Sequence, residues 1–118
     1  MAILQVLLRD RELTRKEVSM ETTWEVKGED LFVGISGKLD TMNAMDLDEK
    51  FNDIPDEVRN IYFDLDGLIY IASAGLRVLY WANEYTEEKG GTAVLRNVSA
   101  EVLEILKITG FKDFVNIE

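Results

Sequence analysis

The side chains that most often do chemistry at neutral pH are missing from this chain, which contains no histidine and no cysteine. Disulfides and thiol chemistry are therefore excluded. The commonest metal ligand and the commonest general base are also gone. Any reaction would have to rest on carboxylates, Lys, Ser, Thr or Tyr. Two stretches put such groups at notable spacing: Tyr62-Phe63-Asp64-Leu65-Asp66-Gly67-Leu68, and residues 69–79 (IYIASAGLRVL) with Ser73 near their centre.

The first stretch ends an apolar run on D-x-D-G. It resembles the nucleophile motif of haloacid-dehalogenase-type phosphatases, in which a strand-end Asp attacks phosphorus and the second Asp is the acid/base. That motif requires a hydroxyl after the glycine, and Leu68 stands there. No acidic pair follows a later strand. The residues read instead as a strand ending at Asp64 and a turn at Asp66-Gly67. Gly34, Gly37, Gly67, Gly90 and Gly91 have no phosphate-cradling spacing and read as turns and helix stops.

In the second stretch Ser73 falls where a strand gives way to a helix. Its hydroxyl could cap orphan N–H groups there. The same place suits a phosphate, because free N–H groups and the helix dipole favour an anion by ~0.3–1 kcal/mol. A phosphoserine would add about −1.5 to −2 charges without breaking the fold. On residue chemistry alone the capping role is the expected one. Ala72, Ala74 and Gly75 are small and would leave the turn open to a partner.

The elements that must position this turn are legible in the patterning. Residues 22–27 (TTWEVK) alternate as a strand. Gly28-Glu29-Asp30 is a turn. Residues 31–37 (LFVGISG) form a second strand, antiparallel to the first. Asp40 or Thr41 caps a helix whose core face is Ala44, Leu47, Phe51 and Ile54, and Pro55 ends that element. Residues 60–65 (NIYFDL) are apolar and short and are read as a buried central strand. A short extended stretch covers 68–71, and a helix covers 73–89, stopped by Gly90-Gly91. That helix carries two apolar stripes, Val78, Trp81, Ala82, Tyr85 and Leu76, Leu79, Tyr80. One should face the sheet, and the other is open to a partner or a second copy. Residues 92–96 are a strand. Ser99 caps a helix to Thr109 with Val102, Ile105, Leu106 and Ile108 as its apolar face. Residues 111–117 close as a last short strand. Strands alternating with helices predict an α/β fold: a mixed sheet of four to five strands packed with three to four helices.

The length of 118 residues suits one domain. The net charge of −10 disfavours nucleic acid and anionic membranes and suits a basic protein partner. No apolar run approaches the ~20 residues of a membrane span. The apolar start, residues 1–8 (MAILQVLL), lacks a basic n-region and a cleavage site, so a cytoplasmic location is expected. Residues 1–19 differ in character. Their net charge of +1 leaves −11 for the remainder of the −10 chain. Lys16-Glu17-Val18 can be encoded by a purine-rich ribosome-binding sequence just ahead of Met20. Two readings follow: an N-terminal extension made by read-through of a leader, or a short helix with Leu4, Leu7, Leu8 and Arg11 at helical spacing.

Residues 20–118 resemble a STAS domain of the anti-sigma factor antagonist family. Three stretches carry the likeness: Gly37-Lys38-Leu39-Asp40-Thr41; Asp64-Leu65 followed by Ile71-Ala72-Ser73-Ala74-Gly75-Leu76; and Gly90-Gly91 with Asn97-Val98-Ser99 and Leu106-Lys107-Ile108-Thr109-Gly110-Phe111. The resemblance implies a non-enzymatic, cofactor-free binding module that works by partner switching. The unmodified domain would bind an anti-sigma factor that is also a serine kinase. Phosphorylation of Ser73 would expel it, and a serine phosphatase would reset it. The contact surface implied is Asp40, Thr41, Ala72, Ala74, Gly75, Leu76 and Arg77. The family usually has Asp where this chain has Ala72. A STAS component of another assembly, a lipid-transport ATPase complex or a stress-sensing particle with Ser73 purely structural, is the alternative.

Overall fold

The computed structural model describes residues 20–118; both readings of residues 1–19 lie outside the described residues. Strand β1 (Met20–Lys27) and strand β2 (Asp30–Leu39) form the expected antiparallel hairpin, pairing Met20 with Gly37 and Lys27 with Asp30. Helix α1 (Thr41–Phe51) follows, then strand β3 (Asn60–Asp64), strand β4 (Leu68–Ile71) and helix α2 (Ser73–Glu88). Strand β5 (Ala93–Arg96), helix α3 (Ala100–Thr109), a 3-10 turn (Phe111–Phe114) and strand β6 (Asn116–Ile117) complete the described chain.

The sheet has six strands in the order β1-β2-β3-β5-β6, with β4 also paired to β2. All pairings except β1 with β2 are parallel. The sheet has one strand more than the expected four to five, and both β4 and β6 are short. β4 pairs where only an extended stretch was expected. β6 is what remains of the expected last strand, because Phe111–Phe114 winds into a 3-10 turn first.

One face of the sheet makes the core. Leu31, Val33 and Ile35 of β2, Ile61 and Phe63 of β3, and Ala93 and Leu95 of β5 are all buried. Ala44, Leu47 and Phe51 of α1, Leu76, Leu79 and Ala82 of α2, and Val102 and Leu106 of α3 join them in one cluster. Each large side chain so buried contributes roughly 1.5–3 kcal/mol. The helix patterning misled at two positions. Ile108 is 75% exposed rather than part of the apolar face of α3, and α1 ends at Phe51, ahead of Ile54.

Strand β3 is the expected buried central strand, lying between β2 and β5 with Ile61 and Phe63 fully buried. Its burial alternates, so its second face is only half covered. There Tyr62 stacks on its register partner Phe32 with ring centroids 5.2 Å apart. The Arg96 guanidinium lies 4.5 Å above Tyr62, and the Lys27 ammonium 5.9 Å from the Phe32 ring. Cation–π contacts of this kind cover aromatic surface where no helix does.

Candidate functional site

The site is set by how β2 shares one edge between two strands. Residues 30–34 of β2 pair with β3, and residues 37–39 pair with β4 along the same edge. Between the two, the chain steps out through a turn at Leu65–Leu68, closed by the Leu68 N–H donating to the Leu65 carbonyl at 3.0 Å. Gly67 takes φ 84° in this turn, a left-handed conformation that favours glycine, and its carbonyl accepts from the Gly37 N–H at 2.9 Å. β4 then runs parallel to the end of β2, with Leu39 opposite Ile71. The Ala72 N–H donates to the Leu39 carbonyl at 2.8 Å. Two parallel strands thus end together, and each feeds a helix directly. The starts of α1 and α2 lie side by side at the carboxyl edge of the sheet, the usual place for recognition in open α/β sheets.

The two helix starts differ chemically. Asp40 is the N-cap of α1 and its carboxylate accepts from the Asn43 N–H at 2.9 Å. Thr41 is the first helical residue and is exposed. α2 has Ala72 at its N-cap, in extended conformation, with no side-chain cap. Ser73 is already inside the helix, exposed, and its hydroxyl has no partner among the described residues. The expected capping role is therefore not realised. The cap side chain must lie one residue before the first helical turn to reach back to its N–H groups. Here that place belongs to Ala72. The first backbone bond of α2 is Leu76 N–H to the Ala72 carbonyl, which leaves the N–H groups of Ser73, Ala74 and Gly75 without protein acceptors among the described residues. An uncapped helix end with a free hydroxyl favours a negative group there.

Among the residues expected to contact a partner, Thr41, Ser73 and Arg77 are exposed, and Asp40, Ala72 and Ala74 are half-buried. Gly75 and Leu76 point inward. Leu76 is a core residue with 2% exposure. A Cβ on Gly75 would lie 2.7 Å from Leu39 Cγ and 2.9 Å from Ile71 Cγ1. The glycine is required for α2 to pack on the strand ends, not to admit a partner. Sequence reading missed four apolar neighbours: Met42 and Met45 on α1, and Ile69 and Tyr70 on β4, all exposed. The i, i+3 methionines at the solvent side of α1 were the one signal available.

The D-x-D-G residues are structural. Asp64 Oδ1 accepts from the Asp66 N–H at 3.1 Å and from Asn97 Nδ2 at 2.9 Å. Its carboxylate thereby holds the turn that separates β3 from β4. In α2, neither expected stripe faces the sheet as a unit. Leu76, Val78, Leu79 and Ala82 form the buried arc, Trp81 and Tyr85 flank it half-buried on one side, and Tyr80 is 39% exposed.

Such a molecule is a small α/β module that presents an exposed serine at a helix start. The chain belongs to the STAS domain family, whose profile matches residues 21–118. It is 30% identical over 88 residues to an anti-sigma-B factor antagonist of Bacillus subtilis (strain 168), covering 75% of this chain and 81% of the relative. The fold is similar to that of an anti-sigma factor antagonist from Mycobacterium paratuberculosis, with a TM-score of 0.71 and 20% identity over 84% of this chain and 85% of that one. It is also similar to the Bacillus cell fate determinant SpoIIAA in its phosphorylated form, with a TM-score of 0.63 and 18% identity over 83% and 91% of the two chains. At these identities the solved structures speak to the fold.

Proposed function

We propose that this domain is a cytoplasmic anti-sigma factor antagonist controlled by phosphorylation of Ser73. Its unmodified form binds an anti-sigma factor with serine kinase activity through the paired helix starts, and so releases a sigma factor. Asp40, Thr41, Ala72, Ala74 and Arg77 supply the contact surface, while Gly75 and Leu76 hold it in place from beneath. The kinase transfers phosphate from ATP to the Ser73 hydroxyl. The added phosphate, with its charge of about −1.5 to −2 and its bulk, then expels the domain from the complex, and a serine phosphatase restores the hydroxyl. The domain itself acts by binding, not by catalysis.

The observation that carries this reading is the Ser73 hydroxyl, exposed at the first position of α2 and unused by the fold. A phosphate can be added there without disturbing any existing contact, so modification acts at the surface rather than on folding. The naming of the Bacillus subtilis relative as an anti-sigma-B factor antagonist supports the partner class. The test is incubation of the purified protein with its cognate kinase and ATP, followed by peptide mass spectrometry. One phosphate on Ser73 is expected. Labelling that persists in Ser73→Ala, or wild-type protein that is never labelled, would refute the assignment.

A further inference from the structure

The outward side of α2 continues from Ser73 in a single line. At 3.6 residues per turn, Ser73, Arg77, Tyr80, Glu84 and Glu87 fall within about 40° of one another's mean direction. All five are exposed. Toward its lower end this stripe meets the C-terminal 3-10 turn and forms a pocket of about 270 Å³ lined by Tyr80, Glu84, Glu87, Asp113 and Phe114. Tyr80 and Phe114 meet nearly at right angles, 82° between planes and 5.8 Å between centroids, and Phe114 is 54% exposed. Three carboxylates rim these rings. The ion pairs among the described residues join Lys27 to Glu25, Arg59 to Glu29 and Arg96 to Glu118, and none reaches this pocket. The carboxylates are too widely spread to hold a metal ion among the described residues. Electron-rich ring faces with carboxylates at their edge suit an organic cation. The Tyr80 phenol registers the field: a hydrogen bond to Glu84, then the charges of Glu84 and Glu87, hold its pKa above the ordinary 10.0.

We propose that the partner-binding surface extends from Ser73 down the outward stripe of α2 to this pocket, which receives a lysine or arginine side chain of the same partner. The proposal rests on the reading of Ser73 as the docking point. The spacing fits: Tyr80 and Glu84 lie about 10 and 16 Å along the helix axis from Ser73. A standard interface covers about 800 Å² per partner, which is roughly 30 Å across. Charge complementarity gives the occupant its sign, since the chain carries −10 overall and the pocket only carboxylates.

The test measures affinity of the unphosphorylated domain for its anti-sigma partner as a function of salt. Glu84→Gln/Glu87→Gln should bind about tenfold more weakly with a shallower salt dependence, and Tyr80→Leu several-fold more weakly. Glu57→Gln/Glu104→Gln, which removes two exposed charges elsewhere, should stay within twofold of wild type. Circular dichroism confirms that each variant is folded. If the pocket variants also stay within twofold, or the control pair loses as much, the pocket does not engage the partner. Wild-type protein that fails to bind the partner at all would instead overturn the docking reading itself, and the pocket assignment with it.

Discussion

The Ser73 hydroxyl is spare in the folded domain. Ser73→Ala should therefore change stability by no more than ~0.5 kcal/mol, as for a surface position without contacts. Ser73→Asp places a carboxylate in the first turn of a helix that has no acidic residue there, which favours folding by ~0.3–1 kcal/mol. Thermal unfolding of Ser73→Asp should thus match or exceed wild type while partner binding falls. A marked drop in midpoint would show that the hydroxyl is structural after all. Tyr80 offers a second local test. Its phenol is held neutral above the ordinary 10.0, first by the hydrogen bond to Glu84. A raised folded pKa means the neutral form is favoured in the native state. That contribution is present below pH 10 and is lost as pH rises through the folded value. Glu84→Gln should bring the Tyr80 titration back toward 10, followed by phenolate absorbance with Tyr80→Phe as the subtraction. An unchanged titration would mean that Glu84 does not face the ring.

At the scale of elements, the start of α2 is positioned by close packing. Gly75 sits on Leu39 and Ile71, the last residues of the two parallel strands that deliver both helices. Gly75→Ala puts a methyl into carbon atoms at 2.7 and 2.9 Å, and overpacking of this kind costs about 1–3 kcal/mol. Denaturant unfolding should show that loss. Partner affinity should fall as well, because α2 must lift away from β4 and carry Ser73 with it. A neutral Gly75→Ala would mean the strand ends have room to yield. The same packing explains why Gly75 and Leu76 cannot be read as contact residues, although they flank the serine in sequence.

For the whole molecule, the helices cover one face of the sheet and charged side chains cover the aromatics of the other. Arg96 lies over Tyr62 and pairs with Glu118 at 3.2 Å, so it ties β3, β5 and the chain end together. Arg96→Ala should cost about 1 kcal/mol, the size of a cation–π contact plus an exposed ion pair, measured by denaturant titration. No loss would mean solvent serves that face as well. Much of this architecture was legible in the sequence, because its determinants are local. The β1–β2 hairpin follows from alternation around Gly28, the α3 boundaries from Ser99 and a left-handed Gly110, and the α1 start from Asp40, each decided within a few residues. What the tertiary structure alone decided involves residues some thirty apart in the chain. Burial on one face of β3 depends on which elements reach the sheet. The inward turn of Gly75 and the choice of outward stripe on α2 depend on how that helix lands on it. The pairing of β4 beside the end of β2 requires the chain to leave that strand edge and return. That pairing makes Ala72, rather than Ser73, the cap of α2. Register and packing between distant segments therefore left the serine exposed with its hydroxyl free, where local chemistry alone predicted a structural cap.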